Sequence, residues 1–364
     1  MTAPATAGGS GPSRAGVSPG RTVSPRVNTD DPVEQAKAAI EYCFEQGWTD
    51  GLPVVPATRA DIEACLATTD HPADEIIGSQ PHLDRSVTVA QAAANAIMAG
   101  CKPEYFPVVL AAWRAVTQER SSRGAWQSTS GPAPLIVVNG PVRARLGINY
   151  AGGVFGPGFR ANATIARAIG LIVRNGYGVR PQELEQATQG LPGRWSVCFG
   201  ENEEMSPWEP LSAVGGVPAG TDAVSAMLIR TVEYVDNRST DSAEAVLHDF
   251  ADTLARMGAY VGGPHSSGGL VLGPEHAQLL GNAGYSRADV QDWLFSRAVR
   301  DPADMVAAGK GEHAGDGPFR MLLSAAAIPI IVAGAANAAM SMVFRPFGWA
   351  AWAGRSVPVE WKEQ

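Results

Sequence analysis

The chain has 364 residues, of which 45% are hydrophobic and 18% are charged, proportions that are ordinary for a globular protein with a sizeable core. Its net charge of −8 makes nucleic acid an unexpected partner, because acidic surfaces repel polyanions. The longest apolar run, 325–343, is interrupted by Pro329, Asn337 and Ser341 and falls short of the roughly 18 apolar residues that span a bilayer. We therefore expect a buried core segment there, and no membrane association.

The cysteine and histidine spacings indicate no metal site. None of the four cysteines forms a CxxC pair, and none of the six histidines is spaced HxH or HxxxH from another. The N-terminus has no apolar segment of the kind found in secretory signal peptides. These features predict a cytoplasmic, reducing location. The sequence indicates no particular cofactor.

Residues 1–30 consist mainly of Gly, Ser, Pro, Thr and Arg and have little to bury, so we predict a disordered N-terminal arm. Residues 31–364 are predicted to form one large α/β unit, either undivided or built as two closely packed lobes of about 31–220 and 221–364. Its core would be a mixed or parallel sheet flanked by helices. No internal repeat is apparent in the sequence.

The predicted elements alternate along the chain. Helix caps are expected at Thr58 and Ser286, and glycine stops at Gly47 and Gly258. Helices are predicted over 32–46, 59–69, 88–99, 103–119, 163–175, 242–257, 274–283 and 287–298. Short strands are predicted over 75–79, 134–140, 195–199, 223–235 and 269–273, with a further apolar strand in the segment that begins at Ile328 and a small-residue turn after it.

A glycine-rich loop before the helix at 163–175 has the composition of an anion site. Gly156 and Gly158 would let the backbone approach a ligand closely. A helix that opens near Asn162 would present free N–H groups, and Arg160 could hold the same carboxylate or phosphate. The alternative is a turn packed for its shape, with Arg160 in a structural ion pair.

An acidic loop follows the strand at 195–199, where α/β proteins often place their chemistry. Glu201, Glu203 and Glu204 are candidate general acids or bases, although the loop could also be a solvated surface segment. Cys198 is a candidate nucleophile if a positive neighbour activates its thiol. Its apolar neighbours also allow an inert core cysteine.

Two further polar residues are candidates on the basis of their surroundings. Asn139 ends a buried strand and could contact a polar group of a substrate, or could simply satisfy the backbone of its own turn. His265 lies in the glycine-flanked sequence GGPHSSGG, which suits an acid/base residue on a mobile loop.

Several long segments resemble a family of large bacterial proteins that are often found with the UGSC-motif (seleno)proteins. The resemblance covers most of residues 40–300, in the segments TDGLPVVPAT, ANAIMAGCKPEYFPVVLAAW, PLIVVNGPVRARLGIN, GGVFGPGFRANATIARAIGLIVRN, CFGENEEMSPWEPL and VLGPEHAQLLGNAGYSRADVQDWL. The association implies thiol or selenol redox chemistry. Because the chain lacks Cys-Gly-Ser-Cys, such chemistry would have to come from a partner or from Cys101 and Cys198.

These features together predict a lyase-type or hydrolase-type enzyme that acts on a small anionic metabolite by general acid/base chemistry. The reaction would be an elimination, a hydration or a hydrolysis, with a thiol-dependent step as one variant. The alternatives are a subunit that docks a small thiol or selenol redox protein, and a metabolite-binding protein without chemistry. Alanine-rich helices also make a homo-oligomer plausible.

Overall fold

A computed structural model describes residues 30–118, 122–259, 267–313, 315–347 and 355–362. The described residues confirm the predicted α/β class, with a seven-stranded mixed sheet surrounded by helices. Nearly all of the predicted N-terminal arm lies outside these ranges. None of the helices in the described ranges combines the length and the apolar character needed to cross a membrane.

The helices are α1 (Pro32–Glu45), α2 (Arg59–Leu66), α3 (Val89–Ala99), α4 (Phe106–Thr117), α5 (Ser122–Ala125), α6 (Val142–Leu146), α7 (Arg160–Tyr177), α8 (Leu211–Val214), α9 (Ala243–Leu254), α10 (Pro274–Asn282), α11 (Arg287–Arg297) and α12 (Pro302–Ala307). The strands are β1 (Ile76–Gln80), β2 (Arg85–Thr88), β3 (Ala133–Asn139), β4 (Val197–Gly200), β5 (Ala223–Asp236), β6 (Gly269–Leu272), β7 (Val299–Arg300), β8 (Phe319–Arg320), β9 (Ile330–Val332), β10 (Met340–Pro346) and β11 (Val357–Pro358).

Local capping explains where several helices begin. The hydroxyls of Thr58 and Ser286 accept from the backbone N–H groups of Asp61 and Asp289, whose carboxylates accept in return. This reciprocal arrangement satisfies N–H groups that a helix leaves unpaired at its start. Both caps confirm the sequence prediction.

Several predicted boundaries differ from the structure by a few residues, and one strand was missed. Helix α7 begins at Arg160 rather than at residue 163, so Asn162 lies inside its first turn. Strand β10 occupies residues that follow the predicted small-residue turn, and it was not predicted as a separate strand. Residues 333–339 before it are mostly alanine, with only Gly334 and Asn337 as weak turn signals, so the start of a new strand is poorly marked.

The main sheet has the strand order β4-β3-β5-β10-β6-β9, with β11 beside β5. Strand β3 pairs in parallel with β4 and antiparallel with β5, and β6 pairs in parallel with β9 and antiparallel with β10. We call β3, β4 and β5 the first strand unit and β6, β9 and β10 the second. The two units join through the antiparallel pair β5–β10. The sheet therefore repeats a three-strand pattern that the sequence analysis did not predict, and it continues across the predicted lobe boundary at 220.

The sheet curls so that its two edges meet. The backbone N–H of Asn202, just after β4, donates to the carbonyl of Val332 at the end of β9, at 2.7 Å. The curled sheet encloses a core to which both strand units contribute, which we call the inner core. Alternate residues of β3 divide between two sides, as a pleated strand requires: Leu135 and Val137 face the inner core, and Ile136 and Val138 face the helices.

Candidate functional site

Asn139 and Glu201 lie where β3 and β4 leave the inner face of the sheet. The alternation along the two strands places both on the same side as Val137 and Phe199. The backbone N–H of Glu201 donates to the carbonyl of Val138 at 3.0 Å, which extends the parallel pairing by one residue. Asn139 and Glu201 are fully buried, and they close this end of the inner core with polar groups.

The carboxylate of Glu201 is held by two donors on one oxygen. Its Oε2 accepts from Nδ2 of Asn139 and from the backbone N–H of Leu211, both at 2.7 Å. Burial raises the pKa of this carboxyl, while the two hydrogen bonds and the nearby guanidinium of Arg287 act in the opposite direction. Arg287 itself donates to the carbonyls of Ile330 and Glu209.

Glu203 shares the amide of Asn139. Its Oε1 accepts from Nδ2 of Asn139 at 3.0 Å and from the backbone N–H of Gly140 at 2.8 Å, and it lies 3.3 Å from Nε of Arg143. Only 17% of the Glu203 side chain is exposed. Asn139 therefore links the fully buried Glu201 to a carboxylate that reaches the surface pocket.

Arg143 presents its planar guanidinium to Glu204. The two donor–acceptor distances are 3.0 and 2.9 Å, a bidentate pair that holds the pKa of Glu204 below its ordinary value. The side chain of Arg143 is 7% exposed, whereas that of Glu204 is 59% exposed. The arginine is thus fixed, through further bonds to the carbonyls of Gly140 and Glu201, while its partner reaches into solvent.

A pocket of about 250 Å³ opens over these groups. Two glycines near the pocket have no room for a side chain. A side chain at Gly140 would place its Cβ 2.5 Å from the carbonyl oxygen of Thr221, and one at Gly200 would meet Arg143 and Tyr150 at 3.0 Å. The pocket is lined by Gly140, Pro141, Arg143, Ala144, Tyr150, Glu203, Glu204 and Gly220.

The second strand unit has an equivalent place, where β6 and β9 end. We call the ends of β3 and β4 the first exit and the ends of β6 and β9 the second exit. The backbone N–H of Ala333 donates to the carbonyl of Leu272 at 2.9 Å, as that of Glu201 does to Val138. Gly273 and Ala333 therefore stand where the first unit has Asn139 and Glu201. A pocket of about 320 Å³ opens here, and every residue that lines it is uncharged.

A buried histidine lies near this second exit. Nε2 of His276 is 3.1 Å from the carbonyl of Asn237 and must donate to it, so Nδ1 accepts from the hydroxyl of Ser341 at 2.8 Å. Burial lowers the pKa of His276, which favours this neutral form. His276 is fully enclosed and packs edge-on against Phe250, so we assign it a structural role.

The predicted glycine loop and Arg160 are not part of the charged pocket. The guanidinium of Arg160 donates to the carbonyl of Gly100 at 2.8 Å and is exposed. Asn162 exchanges hydrogen bonds with the main chain of Asn149, so it organises the loop that leads into α7. Gly156 instead lines the uncharged pocket of the second exit.

The remaining candidates lie apart from the charged pocket. Cys198 is buried among the helices, on the face of β4 opposite the inner core, and burial raises the pKa of its thiol. Burial likewise raises the pKa of Cys101 to about 12, so neither thiol is activated. Gly158 has a φ of +131°, a conformation that favours glycine, and a Cβ added there would meet no atom within 4 Å, so it lies in open space. His265 lies outside the described residues.

The structure thus brings together Asn139, Glu201, Glu203 and Glu204. The sequence analysis named Asn139 and the three glutamates as candidates in two separate segments and did not predict that they meet. Sequence reasoning missed Arg143, Tyr150 and Arg287. The sequence carries a signal for Arg143, because it lies four residues after a buried strand and two after a Gly-Pro pair. This is the same kind of position, after the end of a strand, as that of the glutamates.

Metal chemistry has no obvious site in the part of the chain that the structure describes, where no group of three or more His, Cys, Asp or Glu side chains is arranged to hold an ion. Comparison of the chain with protein-family models, with curated proteins and with solved structures gives no match. The candidate site is therefore defined by its geometry alone.

Proposed function

We propose that the protein is an enzyme that binds a small carboxylate or phosphate at Arg143 and moves protons on it with Glu203. The bidentate pair between Arg143 and Glu204 carries the proposal. A buried guanidinium with a fixed fork and an exposed, exchangeable partner is a ready anion site, because an incoming carboxylate can replace that of Glu204.

The charge of the pocket sets a condition on this proposal. With Glu203 and Glu204 both ionised, two carboxylates face one guanidinium, so an anion is attracted only after Glu204 has moved aside. Because Glu204 is 59% exposed, its carboxylate is rehydrated when it leaves, so displacing it costs about 1 kcal/mol or less provided that the incoming anion takes its place at the buried Arg143. Binding energy from the ligand's own bidentate contact, about 1.5–3 kcal/mol for a charged hydrogen-bonded group, exceeds that cost.

Glu203 is the carboxylate best placed for proton transfer. Its Oε1 is held by Asn139 and Gly140, so its orientation is fixed before a ligand arrives. An anion bound at Arg143 would lie beside it, within the same pocket. Eliminations, hydrations and hydrolyses all require such a fixed acid or base. The four unpaired cysteines support the proposed cytoplasmic location.

Isothermal titration with small carboxylates and with inorganic phosphate tests the proposal. Arg143→Lys keeps the positive charge but loses the planar pair of N–H donors that binds an anion bidentately, and should weaken anion binding by about tenfold or more. Glu204→Gln frees the guanidinium and should tighten binding by about two- to fivefold. Once a bound anion is converted, Glu203→Gln should retain its affinity and lose its turnover.

Arg145→Gln is the matched control. Arg145 lies two residues from Arg143, pairs with Asp222 at 2.7 Å and stacks on Trp361, and it does not line the pocket. Its loss should leave anion affinity within about twofold of the wild type. Binding that survives Arg143→Lys but not Arg145→Gln, or a panel in which no anion binds, contradicts the proposal.

A further inference from the structure

The hydrogen bonds around Glu201 leave two oxygens without a donor. Oε1 of Glu201 and Oδ1 of Asn139 are both buried and have no partner among the described residues. Their side chains are already joined through their other atoms, by the 2.7 Å bond from Nδ2 of Asn139 to Oε2 of Glu201. Two unpaired acceptors on adjoining groups would be costly if both stayed acceptors.

Exchanging the amide oxygen and nitrogen of Asn139 does not solve the problem. Nδ2 donates one hydrogen to Glu201 and the other to Oε1 of Glu203. With the amide reversed, its oxygen would face two carboxylate oxygens in place of donating to them. The amide orientation is therefore fixed by its two acidic partners.

A single proton removes the conflict. A carboxylic acid that keeps Oε2 as acceptor and carries its hydrogen on Oε1 has the same donor–acceptor pattern as an amide. We infer that Glu201 is a neutral carboxylic acid in the folded protein near pH 7, with its Oε1–H directed to Oδ1 of Asn139, and that this acid–amide pair fixes Asn139 so that it can position Glu203.

The groups that face Glu201 are compatible with a neutral acid. They are the amide of Asn139 on β3, the backbone N–H of Leu211 on α8, the carboxylate of Glu203 and the guanidinium of Arg287 on α11. Arg287 favours ionisation through its charge, but its two side-chain hydrogen bonds go to the carbonyls of Ile330 and Glu209 and not to Glu201. Complete burial and the negative charge of Glu203 both favour the protonated form.

The protonation state of Glu201 stands independently of the proposed function, whereas its use in positioning Glu203 rests on that function. A neutral Glu201 leaves Glu203 as the anion beside Arg143. Two ionised carboxylates that share one amide would repel each other, and this would weaken the hold of Asn139 on Glu203. Glu201 is thus a positioning residue and has no contact with the pocket.

Infrared difference spectroscopy of the full chain at pH 7 tests the inference. The spectrum of the wild type minus that of Glu201→Gln should show the carbonyl stretch of one protonated carboxyl group, which lies above the amide I band. The control, Glu203→Gln, should retain that band. A difference spectrum that instead shows the loss of ionised carboxylate bands would overturn the assignment.

A second measurement does not depend on any variant folding. In the wild type labelled with ¹³C at the glutamate carboxyl carbons, one resonance should keep the shift of a protonated acid at pH 7. If every glutamate carboxyl is ionised at that pH, the inference is wrong, whether or not anions bind at Arg143. For the positioning role, Glu201→Gln, which preserves both the donor and the acceptor, should keep the turnover of a bound anion within about twofold, whereas Glu201→Ala should lower it by about tenfold while anion affinity stays the same in both variants.

Discussion

At the exit of the first strand unit the inner face ends in Asn139 and Glu201, whereas the second unit ends in Gly273 and Ala333. The same backbone hydrogen bond holds both exits, from Glu201 to Val138 and from Ala333 to Leu272. The two exits thus share this backbone contact and differ in their side chains. In the first unit the space is filled by a polar pair, and the nearby pocket is charged; in the second it opens into an uncharged pocket.

The comparison shows how one backbone pattern can take on chemistry at one exit only. Large polar side chains at the first exit need donors, and the chain provides them from Leu211, Gly140 and Arg143. Small residues at the second exit need none. A buried polar group near the second exit, His276 on α10, lies on the helix side and is satisfied by Ser341 and Asn237. We therefore expect the first unit to be the more sensitive to polar substitutions at its exit.

The largest expected effect comes from removing the amide that links the two glutamates. Asn139→Leu deprives Glu201 and Glu203 of a donor each while keeping the approximate volume of the side chain. The free energy of unfolding should fall by about 2–4 kcal/mol, because buried acceptors are left unpaired. Urea denaturation with an unchanged m-value measures it.

The reciprocal control lies at the second exit. Ala333→Ser adds a hydroxyl that can reach the open pocket, so the free energy of unfolding should change by less than about 1 kcal/mol. Equal losses from Asn139→Leu and Ala333→Ser would show that the two exits do not differ in their need for polar partners.

Two buried titrating groups, Glu201 at the first exit and His276 near the second, should give opposite pH dependences. The raised pKa of Glu201 means that, above its ordinary value of 4.5, the unfolded chain loses a proton that the folded chain keeps. Stability then falls as pH rises, by up to about 1.4 kcal/mol per pH unit. Relative to the wild type, Glu201→Gln should become progressively more stable as pH rises above 4.5.

His276 should show the reverse trend. Its pKa lies below the ordinary 6.5, so the unfolded chain takes up a proton below pH 6.5 that the folded chain excludes. Its contribution to stability is complete above 6.5 and declines as pH falls below that value. His276→Gln should therefore become progressively more stable relative to the wild type as pH falls below 6.5. Parallel pH profiles for the wild type and the two variants would contradict both assignments.

The smallest expected effect is that of Glu204→Gln on stability. Because Glu204 is largely exposed, losing its bond to Arg143 should lower the free energy of unfolding by no more than about 1 kcal/mol. The loss should shrink further at about 1 M salt, where exposed charges are screened. A larger, salt-independent loss would mean that Glu204 is a structural partner of Arg143 and is not exchangeable.

The sequence was most informative where local chemistry determines the outcome. Capping by Thr58 and Ser286, and the apolar run of β3, predicted their elements because neighbouring residues alone decide them. The acidic loop after β4 was identified for the same reason. The partner of that loop was not, because Arg143 reaches Glu204 across 61 residues of chain. A local sequence pattern does not predict a contact between residues so far apart in the chain.

The repeated strand pattern escaped the sequence for a more specific reason. Each unit has a Gly-Pro pair after its first strand, Gly140-Pro141 and Gly273-Pro274. The matching backbone hydrogen bonds make Asn139, and not Gly140, the equivalent of Gly273. The two Gly-Pro pairs are therefore offset by one residue between the units. A one-residue offset exchanges the two faces of a strand, which hides the similarity from any comparison of side chains.

Strand β5 has 14 residues; one end pairs with β3 and the other with β10, so it belongs to both halves of the sheet. Neither half can separate without breaking this strand's ladder and exposing apolar residues that both halves share. Heating should consequently melt the protein in one cooperative transition, seen by calorimetry as a single peak, although separate groups of helices pack against the two halves of the sheet.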